Sequence, residues 1–231
     1  MNLRKVSHIS FLFSLAVLLL TFTSGSGSPR TRAARGESDE VDRQARDKTP
    51  ASRIVWHYVG RATSNFANGT TVVVGYFSHI DGVPEPFFNG TPSEATAFFT
   101  FRADVSSQSL PRNGDVVPAL NNPGNFRVYF SANPNHNWSN PDSFSNDQLV
   151  ATFKRHLEQL SLIGPIFTNS ASAELLWSED FTFNGEELNF RSLTPHGVTN
   201  VTTGSNTALP GSGFPVFTFP FAGHGVAVGR D

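Results

Sequence analysis

Six histidines lie beyond residue 53, at His57, His79, His136, His156, His196 and His224. Imidazole is the side chain that both ligates transition metals and moves protons near neutral pH. His57 and His79 fall on segments expected to pair, so a suitable register sets them face to face as two ligands. A metal centre needs a third or fourth ligand and an outer shell to orient them. No spacing in the chain supplies either, so we expect no metal and no cofactor. Thiol catalysis, Cys-ligated zinc and iron–sulfur chemistry are excluded, because the sequence has no cysteine. It also lacks a G-x-S-x-G elbow, an H-E-x-x-H pair, a phosphate-cradling glycine loop and EF-hand spacing. No residue is therefore assigned a catalytic role. Glu179 and Glu186 flank a turn, where carboxylates reach water.

The stretch Ser131–Asp147 carries the strongest local signal for a binding site. Seventeen residues without strand alternation make a long loop, and long loops are usually functional or disordered. Trp138 and Phe144 argue for order. As a binding loop, Trp138 would stack on a sugar or another flat ligand, with Phe144 beside it and His136 and Asp142 supplying hydrogen bonds. The alternative is an ordered flap whose two aromatics plug one end of a β core. Asp142, Asn146 and Asp147 match no calcium-loop spacing closely.

The elements that would hold these residues read as strands. From Glu94 to Val105 the odd positions are Ala, Ala, Phe, Phe, Ala and Val, a period of two with one apolar face. Phe126, Val128 and Phe130 repeat it, with Arg127 and Tyr129 pointing away. Asn184-Gly185 between alternating runs predicts a two-residue hairpin, since both central positions need positive φ. Its pairing sets Phe183 opposite Glu186 and Phe181 opposite Leu188, and gathers Trp177, Phe181, Phe183, Leu188 and Phe190 on one face. Asn68-Gly69 predicts a second hairpin. Two patterns compete over 149–162. Alternation favours a strand, whereas Val150, Phe153, Leu157 and Leu160, with Ser145 and Gln148 as a capping box, also fit a short helix near 147–162. Flanking β segments favour the strand.

Strands near 54–63, 71–80, 94–105, 126–131, 149–160, 165–178, 179–183, 187–193 and 214–221, joined by short connections, predict an all-β antiparallel meander. It closes as a barrel or folds as a two-sheet β-sandwich. Closure removes exposed edges, which suits a chain with 22 Phe and few Lys. With 19 Gly, 15 Pro and 16% charged residues, the composition excludes a helical bundle or coiled coil.

Three regions follow from composition. Arg4 and Lys5, an apolar run from Ile9 to Phe22 and a Ser/Gly patch give residues 1–27 the form of a secretory signal peptide. The run is short for a membrane span, which takes about 20 apolar residues. We therefore expect export, to the periplasm or outside the cell, and no membrane span after cleavage. Residues 28–53 interleave Arg, Lys, Asp and Glu with a single large aliphatic, Val41, before Arg53, and are expected to be a disordered linker. Residues 54–231 form one all-β domain. It carries eight Lys or Arg against fourteen Asp or Glu, a formal charge of −6, so it has no basic footprint for nucleic acid. Four Asn-x-Ser/Thr sites, at Asn68, Asn89, Asn137 and Asn200, would be glycan acceptors in a eukaryotic secretory pathway.

Phe-rich faces, a long aromatic loop and missing catalytic motifs lead to one expectation: an exported, non-enzymatic β domain binding a small apolar or carbohydrate ligand or a surface partner. A structural or adhesive envelope domain is the second reading. The third is a barrel enzyme of isomerase or cyclase type, which requires ionisable groups gathered inside the core.

Overall fold

The computed structural model describes residues 53–106, 113–114, 116–120 and 124–229, the stretch 116–120 by its backbone alone. The expected signal peptide and, Arg53 apart, the expected linker lie outside the described residues. The elements in order are β1 (Ile54–Asn65), β2 (Thr70–Ile80), β3 (Phe99–Ser106), β4 (Val116–Leu120), β5 (Asn125–Phe130), β6 (Gln148–Ile163), β7 (Ile166–Ser178), β8 (Phe181–Phe183), β9 (Glu186–Leu188), a one-turn helix α1 (Phe190–Leu193), β10 (Val198–Ser205) and β11 (Val216–Ala227). Eight of the strands close into an antiparallel barrel in the order β6-β5-β3-β2-β1-β11-β10-β7, with β7 pairing back to β6. The barrel therefore replaces the sandwich alternative, and 149–162 is strand. The ninth strand of the sheet, β4, pairs with the far half of β6 at Ser161, Leu160 and Glu158, beyond the residues where β5 pairs with β6.

The alternation seen in the sequence aims the rings inward. Phe101, Ala103, Phe126, Val128, Phe153 and Phe221 are all buried. Large rings fit inside eight strands because glycines face them. A Cβ on Gly75 would lie 2.4 Å from Phe101, one on Gly204 would lie 2.3 Å from Phe167, and one on Gly225 would lie 2.1 Å from Trp56. Each ring covers the backbone of a neighbouring strand, which removes apolar area from water where a glycine offers none of its own.

One end of the barrel is plugged. The β8–β9 hairpin has the expected register, with Phe181 opposite Leu188 and Phe183 opposite Glu186, and Asn184 sits at φ 50°. Phe181, Phe183, Leu188, Phe190 and Leu193 are at most 4% exposed. Phe181 and Phe183 meet Phe99 and Phe130, and Phe190 meets Trp56 and Phe153. Burying each such side chain contributes about 1.5–3 kcal/mol. At the opposite end Phe66, Ile163, Ile166, Phe214 and Val216 stay exposed around an unplugged mouth.

Four expectations need correction. Residues 94–98 are not strand, because Ser93 and Thr96 cap a 3-10 turn over Glu94–Thr96 and β3 starts only at Phe99. Trp177 leaves the face of the hairpin aromatics and is 41% exposed. The register shifts between Thr152/Phe153 as Phe153 pairs Leu175 and Thr152 pairs Trp177, so Leu176 is an extra residue that turns Trp177 outward. Strand 187–193 ends at Leu188, where Asn189 accepts from the Arg191 amide and caps α1. Two strands were not expected, β4 and β10. The inward series of β10 is Val198, Asn200, Thr202 and Gly204, too polar to show an apolar stripe.

Candidate functional site

Above the plugged end the barrel encloses a cavity of about 430 Å³ that reaches the open mouth. Its apolar wall includes Val73, Phe101, Ala103 and Phe126 from β2, β3 and β5, with Phe219 and Phe221 from β11. Leu160, Leu162 and Phe167, near the β6–β7 turn, continue that wall to the mouth. Charged and hydrogen-bonding groups enter it from Tyr58 on β1, Arg155 and Glu158 on β6, Asn169 on β7, and Asn200 and Thr202 on β10, while Ser64, Thr71 and Asn206 line it toward the mouth.

Arg155 and Glu158 are three residues apart, so strict alternation sends them to opposite faces. A register shift between Arg155 and Glu158 intervenes, and Arg155 pairs Ala173 while Glu158 pairs Ala171, both inward positions. The bulge brings both charges inside. Arg155 Nη2 donates to Glu158 Oε2 at 2.6 Å, and the two side chains are 14% and 11% exposed. The Asn169 amide donates to Glu158 Oε1. Burying the pair is tolerable because each charge faces the other and extra hydrogen bonds satisfy the carboxylate.

Asn200 accepts from the Trp56 indole at 2.9 Å. The indole only donates, so the acceptor is the amide oxygen, and the amide nitrogen is the atom left over. The Tyr58 hydroxyl lies 2.7 Å from Thr202 Oγ1 and 3.3 Å from the Val201 carbonyl. Burial pushes its pKa up to about 12, against smaller opposing effects of Thr202 and the Arg155 charge. At neutral pH it is a protonated hydrogen-bonding group.

The loop residues singled out from the sequence lie outside the barrel, over β2 and β3. Phe144 is fully buried, and its carbonyl accepts from Thr100. His136 is 1% exposed, with Nδ1 3.2 Å from the Glu94 carbonyl and Nε2 2.8 Å from Asp147. Asp142 accepts from Arg102 at 2.6 Å. Trp138 stacks on Phe144 at 4.8 Å, and the Arg61 guanidinium lies 4.4 Å from its ring centre. Together with Pro141, Leu209 and Pro210 it walls an external groove of about 380 Å³. The loop is thus an ordered flap held to the outer surface of the sheet, with Trp138 alone of the four residues facing a groove.

His57 and His79 are register partners, as the hairpin reading anticipated, and His224 pairs with His57 from the other side. The three rings form an outward row with centroids 6.5 and 6.1 Å apart. Among the described residues no group of three or more His, Cys, Asp or Glu is arranged to hold a metal ion. Of the four glycosylation signals, Asn68, Asn89 and Asn137 are exposed, whereas Asn200 faces the barrel interior and serves Trp56.

Arg155, Glu158, Asn169 and Asn200 were missed in the sequence because a bulge and a polar inward series hide them from a period-two search. Two signals were available. Arg155 and Glu158 are opposite charges three residues apart in one strand segment, and Asn200 and Thr202 alternate with Val201 and Thr203. No family model, curated protein or solved structure matches this chain. No helix among the described residues is long and apolar enough to cross a membrane.

Proposed function

We propose that this chain is an exported β-barrel that binds a small, largely apolar molecule inside the barrel. One observation carries the reading: a cavity of about 430 Å³, walled mainly by Phe, Leu, Val and Ala, opens at one end of a closed barrel whose other end is sealed. That volume lies within the usual range of small-molecule sites, roughly 300–1,000 Å³, and apolar walls with a few placed polar groups are their usual make-up. The N-terminal basic, apolar and small-residue succession supports export. The ligand site moves from the flap to the interior in this reading, since Phe144 and His136 are buried and Asp142 is bound to Arg102.

The test is native extraction with a thermal shift screen. Organic extracts of the purified chain are analysed by mass spectrometry, and a panel of lipids and glycans is screened for stabilisation. A ligand at a hundredfold excess over its Kd adds about 2.7 kcal/mol, which for a domain of this size raises Tm by about 5–10 °C. No extracted compound and no shift across the panel would count against the proposal. A shift with glycans alone would likewise count against an apolar ligand.

A second reading, an isomerase or cyclase type of enzyme, draws on Tyr58, Arg155 and Glu158 lining the same cavity. Ionisable groups in a dry pocket are what such chemistry requires. Recovery of a ligand chemically altered after incubation would favour it over simple binding.

A further inference from the structure

Resting on the interior-binding reading, we infer that the ligand enters polar end first and that this end is a hydrogen-bond-accepting oxygen, a carboxylate or a carbonyl, on an apolar body. The inference comes from counting what the polar wall has left to give. Glu158 is met by Arg155 and by Asn169. Arg155 has five N–H donors, and one of them goes to Glu158. Its remaining side-chain donors meet no acceptor among the described residues. The Asn200 nitrogen is in the same position, because Trp56 fixes that amide with its oxygen toward the indole. The cavity therefore presents surplus half-buried donors, and covering such a donor with a ligand that does not accept from it costs about 1–3 kcal/mol. An acceptor oxygen relieves that cost; an ammonium, which only donates, cannot.

Orientation follows from depth. Arg155 pairs with Ala173, and Tyr58 and Asn200 lie just above the sealed end, next to Trp56. Leu160, Leu162, Phe167 and Phe219 line the path to the mouth, with Ser64, Thr71 and Asn206 as its polar members. A ligand with its apolar body in the upper barrel and its oxygen against Arg155 and Asn200 satisfies both ends at once. The domain's formal charge of −6 favours cations at long range. A preference for an oxygen acceptor over an amine would then have to arise locally, in the cavity.

Calorimetric titration of the full chain with octanoate, methyl hexyl ketone and octylamine tests this. The expected result is that octanoate or the ketone binds at least about tenfold tighter than octylamine. Which of the two is tighter separates carboxylate from carbonyl recognition. The double variant Arg155→Met, Glu158→Gln removes the charges as a pair, leaving no lone buried ion, and should weaken the preference to what Asn200 alone supplies while apolar binding persists. Octylamine binding as tightly as the better of the other two would overturn the inference and leave the interior site standing, as would an unchanged preference in the folded variant. If none of the three binds, the interior site fails with it.

Discussion

Tyr58 shows how a single side chain reports the character of the barrel interior. Its hydroxyl keeps its proton to about pH 12 in the folded protein, because burial disfavours phenolate, whereas the unfolded chain ionises near 10. Above pH 10 the unfolded state loses this proton first. The stabilisation that Tyr58 supplies is therefore complete below pH 10 and is lost as pH rises toward 12. The loss is about 2–3 kcal/mol at most. Denaturant unfolding of wild type and Tyr58→Phe across pH 9–12 should show this extra slope in the wild type alone (the pH range being roughly that bracketed by the two ionisations). On the flap, Phe144→Ala should cost about 3–5 kcal/mol, since it empties a fully buried site, and Asp142→Ala no more than about 1, since its carboxylate is 77% exposed. Equal effects in urea melts would mean that the flap is held by charge rather than packing. At this scale the sequence showed the loop's aromatic anchors but not their direction. Trp138 and Phe144 were legible as ordered, and only the packing shows Phe144 buried against the outer sheet surface while Trp138 walls a groove.

The elements were legible where one face is apolar and opaque where it is not. The β8–β9 hairpin followed from Asn184-Gly185 because its turn demands positive φ and its strands alternate. Strand β10 went unread because its inward series holds Asn200, Thr202 and Gly204, the polar side of the cavity. Capped turns cut short the segments expected at 94–105 and 187–193, and elsewhere bulges interfered, as alternation carries no signal when an extra residue resets the phase. Trp177 was misplaced for that reason, and the Arg155–Glu158 pair was missed. Glycine opposite an aromatic ring is the packing device of the barrel strands, and it makes a sharp prediction. A Cβ at Gly75 would sit 2.2 Å from the Val59 carbonyl and 2.4 Å from Phe101. Gly75→Ala should cost at least about 1–3 kcal/mol by overpacking, measured by chemical denaturation. A neutral result would mean that the strands separate easily, contrary to a tightly closed barrel.

Over the whole molecule, the antiparallel succession puts every β1, β3, β6 and β10 C-terminus and every β2, β5, β7 and β11 N-terminus at the open end. The plug formed by β8, β9 and α1 seals the other. Phe66 and Phe214, 61% and 80% exposed at the mouth, add little to stability. Replacing both with Ser should change unfolding free energy by no more than about 0.5 kcal/mol. Their cost to solubility without a stability role is consistent with a mouth that receives apolar molecules. The central claim, an accessible apolar cavity inside the barrel, is tested most directly by titrating N-phenylnaphthylamine, a neutral apolar fluorophore, into wild type and Ala62→Trp. Ala62 lines the cavity, and a tryptophan there fills its upper part. A saturable, single-site fluorescence rise in wild type that disappears in the folded Ala62→Trp protein is the predicted result. An equal rise in both proteins, or none in either, would contradict the account.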